Sequence, residues 1–280
     1  MNTKKMSALI SDNMAVYEGK AKLKLGKLAL LAVFAGMFIA IGGSSSSAAT
    51  YGIANTGLAK TLAGAIFPVG LILVVLIGGE LFTGDCLMFF GVLNKRVKVL
   101  DMVRVLCLVF IFNLIGSLIV VVLVNQCGQL DFGGGALGAA TIKTAYNKMN
   151  LSFTKAFCSA IMCNILVCLG VLIAGVAQDA AGKILGIFFT LWAFVIGGYE
   201  HCVANMYYIP AGLLAKETDK YYEAAVAAGM TPDQLDSMNI KGFFIDNLIP
   251  VTLGNIVGGM LFIALPLYLI HRKDIAGDNK

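Results

Sequence analysis

Six long apolar runs dominate this 280-residue sequence and leave few folds open to it. They cover residues 28–49, 61–90, 105–124, 156–177, 184–214 and 248–270, and polar residues interrupt the second and the fifth. About 20 apolar residues in a helix are enough to cross the hydrocarbon core of a bilayer. Because backbone groups in lipid need hydrogen-bond partners within their own segment, continuous runs of this length are helices. With only 13% charged residues as well, the sequence predicts an all-α membrane protein with six transmembrane helices.

The 21 lysine and arginine residues are distributed unevenly between the two predicted sides of the membrane. About two thirds lie on the side that holds both ends of the chain, and this excess predicts that both termini are cytoplasmic. We expect a cytoplasmic N-terminal amphipathic segment at 1–27, one six-helix channel domain at 28–272 and a cytoplasmic tail at 273–280. The protein would lie in the cytoplasmic (inner) membrane among its lipids. No arginine-rich face points to a nucleic-acid partner.

The N-terminal segment has a helical pattern of its own. Its apolar residues recur near helical spacing with charged residues around them: Met6, Leu9, Ile10, Met14 and Tyr17. A short amphipathic helix of this kind is typical of segments that lie in the membrane interface. We therefore expect it to lie on the inner membrane surface, where it is a candidate gate.

The two interrupted runs resemble each other. The second contains IGGELFTGDCLMFFG and the fifth contains IGGYEHCVANMYYIPAG, so each has a glycine pair, a glutamate, a polar interruption and a short apolar segment. The third and sixth runs share Asn-x-x-Gly, at Asn113 and Asn255. The chain is therefore read as two three-helix repeats, and the odd number of crossings inverts the second one. Broken helices at matching places in inverted repeats are typical of a transport site at the membrane midplane.

The polar residues at the two breaks have predicted structural roles. Glu80 and Glu200 occupy matching positions, so we expect them to support the broken backbone by accepting its N–H groups. Thr83 or Asp85 is placed to cap the short helix that follows the first break, and Asn205 follows the second.

His201 is the residue at the breaks that changes charge near neutral pH. Its counterpart in the other repeat is Leu81, so the architecture is symmetric but the titratable group is not. Two mechanisms are open for its ring beside a transported solute. The ring could donate a hydrogen bond or lend positive charge, or it could hand over a proton so that a neutral acid passes.

Other classes of protein find less support in the sequence. The seven cysteines include no C-x-x-C pair, and most lie in apolar runs, where cysteine packs as a small apolar residue. No H-E-x-x-H or G-x-S-x-G motif occurs, so we expect no metal, no cofactor and no enzyme activity. An aquaporin-like channel for neutral solutes shares the inverted repeat, but its Asn-Pro-Ala boxes are absent.

The sequences GGELFTGD and EHCVANMYYIP resemble the interrupted spans of the formate–nitrite transporter family. The resemblance covers nearly the whole chain and implies an aquaporin-like fold and a homopentamer with one pore in each protomer. It also implies roles for individual residues. The pore residues would be His201 as the central pore histidine, Thr83, Lys148 at the outer vestibule and Asn255. The apolar constrictions would be Leu81, Phe82 and Phe194.

The resemblance implies small monovalent weak-acid anions as substrates. Formate channels of the family often carry small hydroxylated residues after E-L-F-T, whereas this chain has Gly84, Asp85 and Cys86. The chain is most similar to the hydrosulfide-channel branch, so hydrosulfide is the expected substrate, with formate and nitrite also possible. A proton-coupled formate or nitrite transporter is the alternative, and an aquaporin-like neutral-solute channel is the second alternative. Lys148, which precedes the fourth span, is expected to attract the anion although it opposes the dipole of the helix that follows.

Overall fold

The computed structural model describes residues 3–277, and this part of the chain is helical apart from its turns and one isolated β-bridge. The helices are α1 (Met6–Ala21), α2 (Leu25–Thr50), α3 (Thr56–Ile77), α4 (Phe82–Leu93), α5 (Val99–Gln126), α6 (Ala136–Met149), α7 (Phe153–Val176), α8 (Ala180–Gly197), α9 (Cys202–Ala215), α10 (Asp219–Ala227), α11 (Pro232–Ser237) and α12 (Gly242–Ile275). Six of them, α2, α3, α5, α7, α8 and α12, are long and apolar enough to cross a membrane. The prediction of six spans is confirmed.

The second and fifth spans are broken where the sequence predicted it. The residues that follow the last residues of α3 and α8 are Gly78 and Gly198, and both have positive φ, +100° and +67°. This backbone conformation is strained for any residue with a Cβ, which explains one glycine of the pair in each repeat. The chain then runs extended to Leu81 and His201, with φ/ψ of −110°/122° and −113°/117°, before α4 and α9 begin. The repeat therefore extends to backbone geometry, with Leu81 equivalent to His201.

One asparagine amide closes each break. Asn113 of α5 accepts a hydrogen bond from Phe82 N at 3.0 Å and donates to Glu80 O at 2.9 Å and Ala32 O at 2.7 Å. The side chain is fully buried, and its three bonds join the two ends of the break to helix α2. In lipid these main-chain groups have no water to bind, so the amide supplies the partners that a continuous helix would have provided.

Asn255 of α12 makes the same three bonds in the second repeat. It accepts from Cys202 N at 2.9 Å and donates to Glu200 O at 3.0 Å and Ala160 O at 2.8 Å. The expected pore-facing position of Asn255 is therefore not what the structure has, because all its donors and acceptors in these bonds are directed at the backbone. The expectation that Glu80 and Glu200 accept the backbone N–H groups is also wrong, since the asparagines take that role.

The glycine of each Asn-x-x-Gly pair serves the same contact. A Cβ on Gly116 would collide with the main-chain oxygen of Val33, and one on Gly258 with that of Ile161. Each glycine thus lets its helix lie directly against the first helix of its own repeat, which brings the asparagine within reach of the carbonyl one residue earlier.

Helix α1 packs against protein. Leu9, Ile10, Met14 and Tyr17 are all buried, and the Tyr17 ring stacks on Phe90 with centroids 6.5 Å apart. The expectation that the apolar side of this helix lies in the membrane interface is therefore wrong, because that side is covered by the bundle, at the face where the described part of the chain begins and ends. We call this the terminal face, and the other the opposite face. The predicted tail begins within a helix, which continues beyond residue 273, and its residues 278–280 lie outside the described part.

Helix α6 on the opposite face is the counterpart of α1. It follows three glycines with positive φ, and Lys148 lies in its last turn, where a cation is favoured by the helix dipole. The expectation that Lys148 opposes a helix dipole is therefore wrong. Just before the start of α6, Asp131 accepts hydrogen bonds from Lys220 at 2.5 Å and Tyr221 at 3.2 Å. The Lys220 bond lowers the pKa of Asp131. These contacts attach α10 to the start of α6.

Replacing Asn113 or Asn255, the asparagines that close the two breaks, by alanine should destabilise the protein. Asn113→Ala or Asn255→Ala leaves one N–H and one carbonyl group of the break unpaired in the membrane, whereas Ala32 O and Ala160 O lie inside continuous helices. At about 1–3 kcal/mol for each unpaired group, we expect a loss of about 2 kcal/mol or more. Asn147→Ala, an exposed change on α6, is the control. The measurement is reversible unfolding in mixed micelles. An unchanged unfolding free energy in both Asn113→Ala and Asn255→Ala would contradict this account of the breaks.

Candidate functional site

A polar vestibule opens on the opposite face and ends at the second break. It is a cavity of about 340 Å³ between α2, α3, α6, α8 and α9. Its polar lining consists of Ser46, Ser47, Thr50, Lys60, Thr144, Lys148, Tyr199, His201, Asn205 and Tyr208. A larger apolar groove of about 1050 Å³ lies on the outer surface between α5, α9 and α12, but no residue of either break lines it. The vestibule is therefore the candidate site.

An apolar neck continues from the floor of the vestibule. It has no room for a water molecule, and it is lined by Ile39, Phe67, Leu71, Leu81, Val167, Leu191, Phe194 and His201. Two of the predicted constriction residues, Leu81 and Phe194, lie here. The third, Phe82, does not line the neck, and its ring packs edge-to-face on Phe110 with centroids 5.2 Å apart. Phe67, which the sequence analysis missed, packs on Phe194 at 5.4 Å.

His201 lies between the vestibule and the neck and lines both. It is also the N-cap of α9, because its Nδ1 accepts a hydrogen bond from Ala204 N at 3.1 Å. A nitrogen that accepts carries no proton, so this contact assigns the neutral ring with its proton on Nε2. The Nε2 atom lies 3.0 Å from Thr83 Oγ1 and donates to it. Adding a second proton to the ring would break the cap.

Thr83 is fixed on the other side of this contact. Its carbonyl accepts hydrogen bonds from Asn164 Nδ2 at 3.3 Å and Cys168 Sγ at 3.6 Å, both from α7. The side chain is fully buried. Thr83 therefore does not cap α4 with its side chain, and it contacts the histidine of the other repeat.

Lys148 and Glu200 form an ion pair at the edge of the vestibule. Lys148 Nζ donates to Glu200 Oε1 at 2.8 Å, and Asn205 Nδ2 donates to Glu200 Oε2 at 2.6 Å. Asn247 extends the network, since it accepts from Asn205 at 2.8 Å and donates to Lys148 O at 2.8 Å. The charge of Lys148 is thus balanced locally, and Asn205 supports Glu200 more than it supports the backbone.

Lys60 is a vestibule cation that the sequence analysis missed. Its Nζ atom lies over the end of α8, where a Cβ on Gly198 would be 3.1 Å away. Among residues 3–277, no carboxylate is within ion-pair distance of it. Unlike Lys148, it brings uncompensated positive charge to the cavity.

The first break has a matching charged cluster towards the terminal face. Lys20 of α1 lies 2.6 Å from Glu80 Oε2 and 2.6 Å from Asp85 Oδ1. Asp85 is at the end of the first turn of α4 and makes no capping bond there, so its expected role as the cap of that helix is wrong.

The thiols do not form a metal site in the described residues. All seven cysteines are free, with Cys86, Cys163, Cys168 and Cys202 buried. Between residues 3 and 277, no group of three or more His, Cys, Asp or Glu side chains is placed to hold a metal ion.

Six helices long enough to span a membrane, two breaks that meet through Thr83 and His201, and a vestibule that ends at an apolar neck define a channel-type transport protein. The chain belongs to the formate/nitrite transporter family, whose model matches residues 7–269. It is 40% identical to a probable formate transporter of Methanothermobacter thermautotrophicus, over 93% of this chain and 94% of that protein. It is 32% identical to the formate channel FocA of Escherichia coli K12, over 95% of this chain and 93% of that protein.

Solved structures agree with this assignment. A pentameric formate channel with formate bound superposes with a TM-score of 0.78 at 34% identity, covering 88% of this chain and 97% of that one. An FNT family ion channel superposes with a TM-score of 0.78 at 26% identity, covering 94% and 98%. The family inferred from the two span motifs and the predicted all-α fold with six spans are confirmed.

Proposed function

We propose that the protein conducts small monovalent weak-acid anions through one pathway in each protomer of a homopentamer. Formate is the substrate that the named relatives favour. The observation that carries the proposal is the position of His201, whose ring separates a polar, cationic vestibule from an apolar neck. The excess of positive charge on the terminal side supports cytoplasmic termini in the inner membrane, which places the vestibule outside.

Lys60 attracts the anion to the vestibule. Lys148 was expected to have this role, but its ion pair with Glu200 leaves little net charge at that position. An unpaired ammonium at the mouth of a cavity with low-dielectric walls raises the local anion concentration. Lys148 then holds Glu200 in place, so that an unpaired carboxylate does not repel the anion.

A transported anion must lose its charge before it can pass the neck. Moving an anion into an apolar space without water is unfavourable by far more than a hydrogen bond can repay. His201 can supply a proton if its Nδ1 first takes one from hydronium in the vestibule, which leaves water, and the ring gives up the bond from Ala204. Its Nε2 proton then goes to the anion, and the products are a neutral acid and a neutral ring protonated on Nδ1. Proton exchange with water returns the ring to the form that caps α9.

Hydrosulfide is the second candidate substrate. The residues that follow Thr83 are Gly84, Asp85 and Cys86, without the small hydroxylated residues common in formate channels. Uptake of formate, nitrite and hydrosulfide into proteoliposomes at equal anion concentration ranks the three. Formate in first place would exclude the hydrosulfide branch, and no uptake of any of them would refute the proposed function.

Lys60→Gln should weaken anion recruitment without slowing the passage step. We expect the KM for formate to rise about threefold to tenfold at low salt, with kcat unchanged and with a weaker dependence on ionic strength. Lys143→Gln removes the same charge from an exposed site on α6 outside the cavity and is the control. Equal effects of the two substitutions would show that Lys60 acts only through net charge.

His201→Asn should remove the pH dependence of uptake. Asparagine can keep the cap by accepting from Ala204 N as histidine does, but it cannot hold an added proton. We expect a folded pentamer whose uptake varies little between about pH 5 and 8 apart from the ionisation of the substrate itself. His271→Asn, which changes the other histidine, should retain the wild-type profile. A wild-type profile in His201→Asn would rule out proton transfer through the ring.

A further inference from the structure

The terminal-face cluster is the repeat counterpart of the network at the vestibule. Lys20 is the penultimate residue of α1, as Lys148 is of α6, and each pairs with the glutamate of its own break. Five residues after the glutamate comes Asp85 in the first repeat, in the position that Asn205 holds in the second. The two clusters therefore share their geometry and differ in one side chain.

That difference changes the charge of the cluster. Around Glu200 there is one carboxylate and one ammonium, and Asn205 donates a hydrogen bond to the glutamate at 2.6 Å. Around Lys20 there are two carboxylates, both buried: Glu80 is 7% exposed and Asp85 is 2% exposed. Glu80 and Asp85 raise the pKa of Lys20 despite the opposing effect of burial, so its single positive charge is retained.

In the described part of the chain, no other cation pairs with the second carboxylate. The other titratable groups that interact with Asp85 are Tyr17 of α1 and Cys86 of α4, and both are neutral in their protonated forms. Among residues 3–277, Lys20 is the one basic side chain in ion-pair contact with Glu80 or Asp85. The Oδ2 atom of Asp85 is buried and has no hydrogen-bond partner in the described structure. A buried pair of like charges that share one counter-ion is unfavourable unless a proton neutralises one of them.

We propose that Glu80 and Asp85 hold one proton between them and form a proton-binding site at the terminal end of the pathway. With the proton on Oδ2, Asp85 donates a hydrogen bond to Glu80, as Asn205 donates to Glu200. The Oδ2 atom, which otherwise has no partner, then makes a hydrogen bond. The net charge of the cluster becomes zero, as it is in the network of Lys148, Glu200 and Asn205. Asp85 follows Thr83 by two residues, so the site lies just beyond the contact between Thr83 and His201.

The site completes the proposed transport of a weak acid, and this step rests on the proposed function. A neutral acid that has passed the neck must lose its proton to leave as an anion. When the carboxyl pair is empty it accepts that proton, the acid's O–H or S–H bond breaks, and the anion is released. The pair then passes the proton to water on the terminal face. His201 and the carboxyl pair would thus act at opposite ends of the neck.

Infrared difference spectroscopy of the reconstituted wild-type pentamer tests the shared proton without any need for transport. At neutral pH we expect the carbonyl band of a protonated carboxylic acid, shifted in D₂O. Asp85→Asn and Glu80→Gln should each abolish it, because a single carboxylate is balanced by Lys20. Asp101→Asn, a change on the same face outside the cluster, should retain it. No such band in the wild type, or its persistence in Asp85→Asn, would overturn the proposal.

Asp85→Asn also has a transport readout. Asparagine is the residue at the equivalent position of the second repeat, so the variant is expected to fold. We expect it to lose the dependence of flux on pH at the terminal face while keeping the dependence on pH at the vestibule. An unchanged dependence at the terminal face would contradict the assigned role of the site. If the infrared band is present but neither protein transports an anion, the proposed function fails and the proton site stands.

Discussion

The structure depends on how two interrupted helices are stabilised inside a membrane. Each interruption removes main-chain hydrogen bonds in a medium that offers no replacement, and one buried asparagine amide restores three contacts at each place. The amides of Asn113 and Asn255 join each break to the first helix of its own repeat. The extended residue after the glutamate is therefore held with its side chain towards the neck. Everything proposed about the pathway rests on this positioning.

The two repeats share their backbone geometry at the breaks but differ in their titratable residues. At the residue that precedes the short helix, one repeat has Leu81 and the other has His201, with nearly the same backbone angles. At the position five residues after the glutamate, one has Asp85 and the other Asn205. The matching asparagines make structural contacts, whereas two of the residues that differ, His201 and Asp85, are titratable. In the proposed mechanism, the direction of proton transfer along the pore follows from these two differences between the repeats.

The sequence predicted the six spans, both breaks and the equivalence of Leu81 and His201, because apolar length and repeated motifs are local properties. It assigned the support of the breaks to the glutamates, and Asn255 to the pore, although Asn113 and Asn255 were already recognised as a matching pair. Because Asn255 matches Asn113 across the repeats, a shared structural role was the better prediction for it. The burial of α1, the neck position of Phe67 and the unpaired charge of Lys60 depend on which helices meet. No spacing within one segment carries that information.

The most direct test of the account is the protonation of the ring nitrogens of His201. Solid-state ¹⁵N NMR of histidine-labelled pentamers in lipid, in the His271→Asn background that leaves one histidine, reports the two nitrogens separately. At neutral pH without substrate, the account predicts an unprotonated Nδ1 that accepts from Ala204 and a protonated Nε2. It also predicts that a proton appears on Nδ1 only together with a shift of the Ala204 amide. A protonated Nδ1 at neutral pH with an unchanged Ala204 amide would contradict the link between the helix break and the proton.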